Sequence, residues 1–143
     1  MGHGFCHSFR LGRLVGMTCP FCNLDAPRIL LENEVGIALR DAFPVTEGHS
    51  LVIPKQHVAS LFDLDANEQV ALWQLATEVR SKLVEEFHPA GFNIGVNDGP
   101  AAGQTVMHAH IHVIPRYTGD AANPKGGVRQ VIPKKAQYWE GQT

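Results

Sequence analysis

The sequence predicts one α+β domain built around an antiparallel sheet. Runs of β-prone residues come first and last, with one helical pattern between them, an order that favours an antiparallel sheet over a doubly wound parallel one. The chain has 143 residues, 44% of them hydrophobic, so it can bury a core without disulfides. No apolar run approaches the roughly 18–20 residues of a membrane helix. Disordered and membrane-spanning classes are therefore excluded.

The first two predicted strands form a hairpin. β-prone residues occupy positions 35–40 and 50–53, and Pro44 and Gly48 stand between them. Turn-forming residues between two such runs are typical of antiparallel neighbours.

A long helix is predicted over residues 66–87. Asp65 followed by Glu68 has the form of a capping box, in which each side chain bonds the backbone amide of the other residue. Pro89 ends the pattern because it has no amide hydrogen to donate. Apolar residues recur at spacings of three and four, namely Val70, Trp73, Ala76, Val79, Leu83 and Phe87.

Two further strands are predicted at 92–96 and 106–114, joined by a turn-rich connection at 97–103. After Pro115 the chain becomes polar and Gly-rich, and we expect a tail that lies over the domain. No repeat or break in composition indicates a second domain.

Residues 1–16 are predicted to be an extension or disordered leader, followed by a single domain over 17–143. The first acidic residue of the chain is Asp25. A basic segment without acids is also typical of a transit peptide, which is the alternative, while its apolar stretch is too brief for a secretory signal.

The charge and the cysteine content limit the classes of partner and the cellular compartment that we expect. Twelve basic and fourteen acidic residues give a formal charge of -2, which provides little field to attract nucleic acid or an anionic membrane. Three cysteines, an odd number, argue against a secreted disulfide framework. We therefore expect a cytoplasmic protein with no nucleic-acid or membrane partner.

Three histidines, His108, His110 and His112, alternate with apolar residues. Successive side chains of a strand point to opposite faces, so this pattern places three imidazoles in a row on one face. In a helix they would stand about 200° apart at each step and would not converge.

This row of imidazoles has three interpretations. As polar residues on a wet strand face it is unusual, because histidine is not a strand-favouring residue. Three imidazoles also match a catalytic zinc site, although alternate residues of a straight strand stand ~6.5–7 Å apart, too far for one ion without a bend. A nucleophilic middle imidazole with two hydrogen-bonding neighbours needs no such bend. We favour the nucleophile.

The connection before the histidines is suited to an anion. Its glycines allow backbone amides to approach closely, and Asn97, Gln104 and Thr105 add side-chain donors. We predict that it binds phosphate, with an ordinary hairpin loop as the alternative.

Cys19 and Cys22 form a C-x-x-C pair with three interpretations. A redox pair would begin a helix after a strand, and no strand pattern precedes Cys19. A zinc site needs two more ligands. Two reduced, half-buried thiols are the third interpretation.

Residues 108–114 resemble the H-φ-H-φ-H-φ-φ signature of the histidine-triad (HIT) family of nucleotide hydrolases and transferases. Residues 98–106 are similar to its diadenosine-polyphosphate hydrolase branch, which includes the fragile-histidine-triad proteins. Residues 40–57 resemble that family's nucleoside-binding hairpin. The similarity extends from about Cys19 to Arg116.

The resemblance implies a fold and an activity. The fold is an antiparallel five-stranded sheet with one long helix and a short one, extended across a homodimer through the helix at 66–87 and the strand from Phe92. The activity is attack on the α-phosphate of a dinucleoside polyphosphate, such as diadenosine tetraphosphate. A purine nucleoside phosphoramidase and a nucleotide-binding regulatory module are the alternatives.

The resemblance also implies residue roles. His110 would attack phosphorus and form a nucleotidyl-histidine intermediate, with His108 and His112 beside it. His112 would contact phosphate and help to protonate the leaving group. The implied nucleotide and phosphate ligands are Asp41 on the ribose hydroxyls and Asn97, Gln104 and Thr105 on the phosphate.

A second resemblance, to the zinc-containing branch that includes galactose-1-phosphate uridylyltransferases, implies a structural zinc ion. Its ligands would be Cys19, Cys22, His57 and His108. His49 and His88 are interpreted as a strand-start residue and a helix-end residue without a functional role.

Overall fold

The structure is a computed structural model that describes residues 19–139. The predicted leader at 1–16 lies outside the described residues, as do 17–18 and 140–143 of the predicted domain. The described chain forms a five-stranded antiparallel sheet with one long and one short α-helix. The predicted fold class is confirmed.

The five strands form one sheet with the order β1-β2-β3-β5-β4, and every neighbouring pair is antiparallel. β2 and β3 pair along their whole length, which confirms the predicted hairpin. β5 lies between β3 and β4, so His112 is on an interior strand. The strands are β1 (Ile29–Glu32), β2 (Gly36–Arg40), β3 (Ser50–Pro54), β4 (Gly91–Gly95) and β5 (Ile111–Arg116).

Helix α1 (Ala66–Phe87) has the predicted bounds. The backbone amide of Glu68 donates to the Asp65 carboxylate at 2.8 Å, and the amide of Asp65 donates to the Glu68 carboxylate at 3.2 Å. This reciprocal capping satisfies donors that the first turn leaves unpaired. The helix ends at His88, whose φ of 49° is left-handed, a common way to stop before a proline. No helix within residues 19–139 is long and apolar enough to cross a membrane.

The sheet has an apolar layer on each face. One layer packs against α1, and its buried members include Ala38, Val52, Ile111 and Val113 from the strands and Leu72, Leu75, Val79 and Leu83 from the helix. The other layer consists of Ile37, Leu39, Leu51 and Ile53, against which Phe21, Leu24 and Ile29 pack. Among residues 19–139 no α-helix packs on the second layer, which leaves room there for a cavity.

Strand β5 begins later than predicted. The prediction of a strand from Val106 is wrong for its first five residues, because regular pairing starts only at Ile111. The amide of Ala109 donates to the carbonyl of Val58 at 2.7 Å, so this stretch bonds to the connection after β3 and not to β4. Two of the three alternating histidines therefore precede the regular strand.

The chain after β5 is a tail, and the side chain of Arg129 holds its segments together. It contains a 3-10 turn, Gly127–Val131, and the short helix α2 (Pro133–Ala136). Arg129 donates to the carbonyls of Lys135 and Ala136 at 2.7 and 3.0 Å and lies over the ring of Tyr138. The tail approaches β4 where Gly127 lies beside the side chain of Asn93.

Candidate active site

A cavity of about 310 Å³ lies on the sheet face opposite α1. It brings together Asp41 after β2, Asn97 after β4, Thr105, and the second and third alternating histidines, His110 and His112. These are five of the residues predicted to form the site. The cavity is lined by Pro20, Phe21, Arg28, Asp41, Ala42, Phe43, Leu51, Asn97, Gly103, Thr105, Val106, His110 and His112.

The ring of His110 is oriented by the backbone. Its Nδ1 lies 2.8 Å from the carbonyl oxygen of His108, so Nδ1 carries the proton that is donated to that oxygen. Nε2 then holds the lone pair of the neutral ring. Phe21 packs edge-on against this imidazole, with ring centroids 5.2 Å apart. The residue is 9% exposed and lines the cavity, as a nucleophile requires.

His112 is oriented by another histidine. The amide of Val45 donates to Nδ1 of His49 at 3.1 Å, which places the proton of a neutral His49 on Nε2. That Nε2 lies 3.0 Å from Nδ1 of His112. Nδ1 of His112 therefore accepts, and its own proton is on Nε2, where it can be donated to a ligand.

The rings of His112 and His49 are both held in the neutral form. Burial, together with the nearby His110 and His49, lowers the pKa of His112 to about 4, against the opposing effect of Asp41. Burial also lowers the pKa of His49, against the opposing effect of Asp41, whose carboxylate lies 3.4 Å from its Nε2. At neutral pH the pair thus donates hydrogen bonds as uncharged imidazoles.

His49 is the functional residue that sequence reasoning missed. Leu51 of β3 pairs with His112 of β5. His49 is two residues before Leu51 and therefore lies beside the ring of His112. Only the strand register reveals this contact, since the two histidines are 63 positions apart. His49 is buried, with 3% of its surface exposed, so its contact with His112 is shielded from solvent.

The ligand atoms of Asp41, His49 and His112 are also close enough to hold a metal ion. The amide of Val45 argues against this use. It makes Nδ1 of His49 an acceptor, so Nε2 of the neutral ring carries a proton and has no lone pair for a metal. The cluster is a hydrogen-bond relay.

The side chain of Gln104 does not face the cavity. Its Oε1 accepts from the amide of Gly99 at 2.9 Å, and its Nε2 donates to the carbonyls of Ala59 and Val106 at 2.7 and 3.0 Å. Both amide hydrogens are thus committed, which conflicts with the predicted role as a direct phosphate donor. Gln104, 6% exposed, instead fixes the loop that presents Thr105.

Next to the cavity lies a Cys–His cluster of Cys19, Cys22, His57 and His108, whose ligand atoms all lie within 4.8 Å of one another. Nδ1 of His108 is 3.4 and 3.6 Å from the two Sγ atoms and 3.2 Å from Nδ1 of His57. Tetrahedral zinc, with bonds of about 2.3 Å to sulfur and about 2.0 Å to nitrogen, separates its ligand atoms by roughly 3.3–3.8 Å. The residues present fit zinc.

The tautomer of His108 agrees with metal binding. Its Nε2 lies 2.8 Å from the carbonyl oxygen of Pro54 and donates to it, which leaves the lone pair on Nδ1, towards the cysteines. Burial lowers the pKa of His108 to about 4, so the ring is neutral. Ligation by Cys19 and Cys22 requires both sulfur atoms as thiolates and therefore the reduced chain.

Comparison with known sequences identifies the family of this chain. The profile of the HIT domain matches residues 25–119. The chain belongs to the HIT family. A HIT-like protein of Mycoplasma pneumoniae is 43% identical over 103 residues, which cover 69% of this chain and 72% of the relative.

Two further HIT proteins bear on the chemistry. A bifunctional bis(5'-adenosyl)-triphosphatase/adenylylsulfatase of Arabidopsis thaliana is 38% identical over 120 residues, 79% of this chain and 66% of the relative. The crystal structure of a Zn-bound histidine triad protein from Mycobacterium smegmatis has a TM-score of 0.66 and 38% identity over 74% of this chain and 80% of that one.

Proposed function

We propose that the protein is a nucleotidyl hydrolase or transferase that attacks the α-phosphate of a dinucleoside polyphosphate, such as diadenosine tetraphosphate, through His110. The observation that supports this most is the bond from Nδ1 of His110 to the carbonyl of His108. This bond selects the tautomer whose lone pair is on Nε2, in a cavity that also contains Asn97 and Thr105.

In the first step Nε2 of His110 forms a bond to the α-phosphorus, and the bond from phosphorus to the bridging oxygen breaks. The departing phosphate keeps the bonding electrons. His110 becomes an imidazolium that still carries its Nδ1 proton, which the carbonyl of His108 stabilises. Asn97 and Thr105 donate to the non-bridging oxygens, so the main contribution of the protein is to position the phosphate and stabilise its charge.

The pair of His49 and His112 stabilises the leaving group. His112 donates a hydrogen bond from Nε2 to the departing oxygen and keeps its proton, while its Nδ1 accepts from Nε2 of His49, 3.0 Å away. The oxygen leaves as a phosphate anion, and Asp41 lies 3.4 Å from Nε2 of His49. We also propose that Asp41 accepts from the ribose hydroxyls.

In the second step water, or another acceptor, attacks phosphorus from the face that the leaving group has vacated. The P–N bond breaks, its electrons return to Nε2 of His110, and the proton that water loses passes to solvent. A nucleoside monophosphate is released and the enzyme is restored.

We further propose that zinc binds the Cys–His cluster of the reduced chain. Zinc would supply structural cross-linking there, tying the segment 19–22 to the strand region before β5. His108 would be a ligand through its ring while its carbonyl holds His110. The cluster therefore determines where the nucleophile stands without taking its lone pair.

A homodimer is the proposed assembly, and the cytoplasm the proposed location. β4 pairs only with β5 within residues 19–139, so its outer edge is free to pair with another strand. Trp73 and Val84 of α1 are 46% and 38% exposed. Sedimentation of the full chain at several concentrations measures the assembly directly.

The central experiment is mass spectrometry of protein quenched with alkali during turnover of diadenosine tetraphosphate. A phosphorus–nitrogen bond is labile in acid and survives alkali, so we expect an added nucleotidyl mass on the peptide that contains His110. Turnover without such an adduct, or an adduct on another residue, would refute the proposal.

Assays with a panel of substrates show which leaving group the enzyme prefers. One Arabidopsis relative has both bis(5'-adenosyl)-triphosphatase and adenylylsulfatase in its name, which supports testing diadenosine tri- and tetraphosphate, adenylylsulfate and an adenosine phosphoramidate. The highest kcat/KM identifies the class, because all four share the adenylyl group. AMP binding without turnover of any of them would favour the regulatory module.

A further inference from the structure

A second cavity lies at the far end of strands β4 and β5, in addition to the first cavity, which contains His110. Its volume is about 590 Å³, and its wall includes Asn93 of β4, Arg116 at the end of β5 and the following loop as far as Pro124. Cavities of roughly 300–1,000 Å³ are the usual size for small-molecule binding. The proposed reaction makes no use of this cavity.

The two cavities share one face of the sheet. Gly95 of β4 pairs with His112 of β5, and Asn93 pairs with Ile114. Because alternate residues of a strand point to the same face, Asn93 and Arg116 lie on the same side of the sheet as His112. The opposite side packs against α1. A ligand that begins at His112 can therefore continue along this face to the second cavity.

The distance along β5 selects the length of such a ligand. His112 and Arg116 are four residues apart in the strand, which corresponds to about 13 Å. A single phosphate at His112 does not cover that distance, whereas a chain of several phosphates that ends in a nucleoside does. In the proposed reaction the departing oxygen lies beside His112. The second cavity is therefore placed to receive the far end of a long leaving group.

Two hydrogen bonds join the walls of the two cavities. The hydroxyl of Thr46 donates to the carbonyl of Pro115 at 2.6 Å, and the hydroxyl of Tyr117 donates to the carbonyl of Glu47 at 2.7 Å. Thr46 and Glu47 belong to the loop that begins with Asp41 of the first cavity, and Tyr117 lines the second. This attachment holds the cavities at a fixed separation, so a ligand that spans both loses less entropy on binding.

The charge around the second cavity is suited to an anion. Asp120 is the acidic residue among those that line it, and Arg116 donates to both of its carboxylate oxygens, at 2.7 and 2.8 Å. The charges of this pair cancel. Lys125 follows the lining residue Pro124, and residues 121–139 contain basic side chains and no acidic ones, although the whole chain has a formal charge of -2. A polyphosphate that reaches this end of the sheet therefore meets net positive charge.

We infer that the second cavity binds the leaving nucleotide of a dinucleoside polyphosphate, and so favours substrates whose leaving group is a nucleoside polyphosphate over those with a small leaving group. The inference rests on the proposed function, because the position of His112 sets where the leaving group begins. Lys125 would contact its phosphates, and the loop from Tyr117 to Pro124 would contact its nucleoside. The half that is transferred to His110 stays in the first cavity.

The test is calorimetric binding of diadenosine tetraphosphate and AMP to the full chain with His110→Ala, which keeps the ligand intact during the measurement. We expect diadenosine tetraphosphate to bind about tenfold more tightly than AMP, because it occupies both cavities. Ala122→Trp, added to fill the second cavity, should abolish this difference and leave AMP binding unchanged. Ala122 lines the cavity and is exposed, so the larger side chain does not disturb the core.

A charge variant tests the same site without filling it. Lys125→Gln should weaken binding of diadenosine tetraphosphate about threefold at low salt and leave AMP unchanged. Lys82→Gln is the matched control, since Lys82 is exposed on α1, which packs on the opposite side of the sheet. It makes the same change of charge and should alter the binding of neither ligand.

Turnover gives a second measurement. With His110 intact, Ala122→Trp should lower kcat/KM for diadenosine tetraphosphate about tenfold and leave that for an adenosine phosphoramidate unchanged. Equal affinities for diadenosine tetraphosphate and AMP before Trp is introduced, or an Ala122→Trp change that affects both ligands or both substrates alike, would overturn the inference. Binding needs no attack on phosphorus, so the proposed reaction can fail, with no adduct on His110, while the difference in affinity persists.

Discussion

The Cys–His cluster and the cavity histidines use the same side chain for different purposes. In the cluster, the Pro54 carbonyl takes the Nε2 proton of His108 and leaves Nδ1 facing two sulfur atoms. In the cavity, the His108 carbonyl accepts a hydrogen bond from Nδ1 of His110, which leaves the lone pair on Nε2. The partner of the other nitrogen, and not the presence of an imidazole, thus decides whether a histidine is suited to a metal or to phosphorus.

Replacement of the nucleophile gives the largest expected effect. His110→Ala should lower kcat for diadenosine tetraphosphate by at least about 10⁴-fold, because no other group attacks phosphorus. AMP binding should remain within about tenfold, since Asn97 and Thr105 are intact. His88→Asn, outside the cavity, is the control and should keep full activity. Substantial turnover by His110→Ala would show that the two sets of histidines do not differ as argued.

Removal of a proposed zinc ligand tests the role of the Cys–His cluster. Cys19→Ser should lose zinc from the reduced protein and lower Tm by roughly 10 °C, since zinc that is 100- to 1,000-fold above its Kd stabilises the fold by about 3–4 kcal/mol. Metal analysis and thermal melts with and without a chelator measure this. His88→Asn serves again as the control. A Tm that a chelator does not change in wild type would contradict structural zinc.

The relay gives an intermediate effect. His49→Asn removes the donor that sets the tautomer of His112, so kcat should fall about 10- to 100-fold while KM changes little. Steady-state kinetics separates this outcome from a loss of nucleotide binding. A change confined to KM would instead place His49 among the binding residues.

The pH dependence of stability should show the smallest effect. Burial depresses the pKa of His112 to about 4, whereas the unfolded chain has a value near 6.5. The unfolded state therefore binds more protons between these values, and stability should be lost as pH falls from about 6.5 to about 4. Thermal melts across this window should show a shallower decline for His112→Gln than for wild type. Equal slopes would mean that the ring titrates normally.

Local signals predicted the helix and the hairpin well. The bounds of α1 follow from Asp65, Glu68 and Pro89, which act within a few residues of the ends that they define. The grouping of Asp41, Thr105 and His110 around one cavity came from family resemblance, because it depends on strands far apart in sequence.

The features that sequence reasoning missed depend on long-range partners. β1 has only four residues, too few for a clear alternating pattern. The role of His49 requires the β3–β5 register. Gln104 looks like a free donor until Ala59, 45 positions away, takes its amide hydrogen. Such contacts belong to the assembled sheet, and no local periodicity encodes them.

The attachment of the loop at 41–49 to β5 has a consequence for catalytic turnover. Thr46 and Tyr117 join the wall that contains Asp41 and Phe43 to the strand that contains His112, so these walls move together. Pro20 and Phe21, which also line the cavity, are not held by these two bonds, and they belong to the segment that contains Cys19 and Cys22 of the Cys–His cluster.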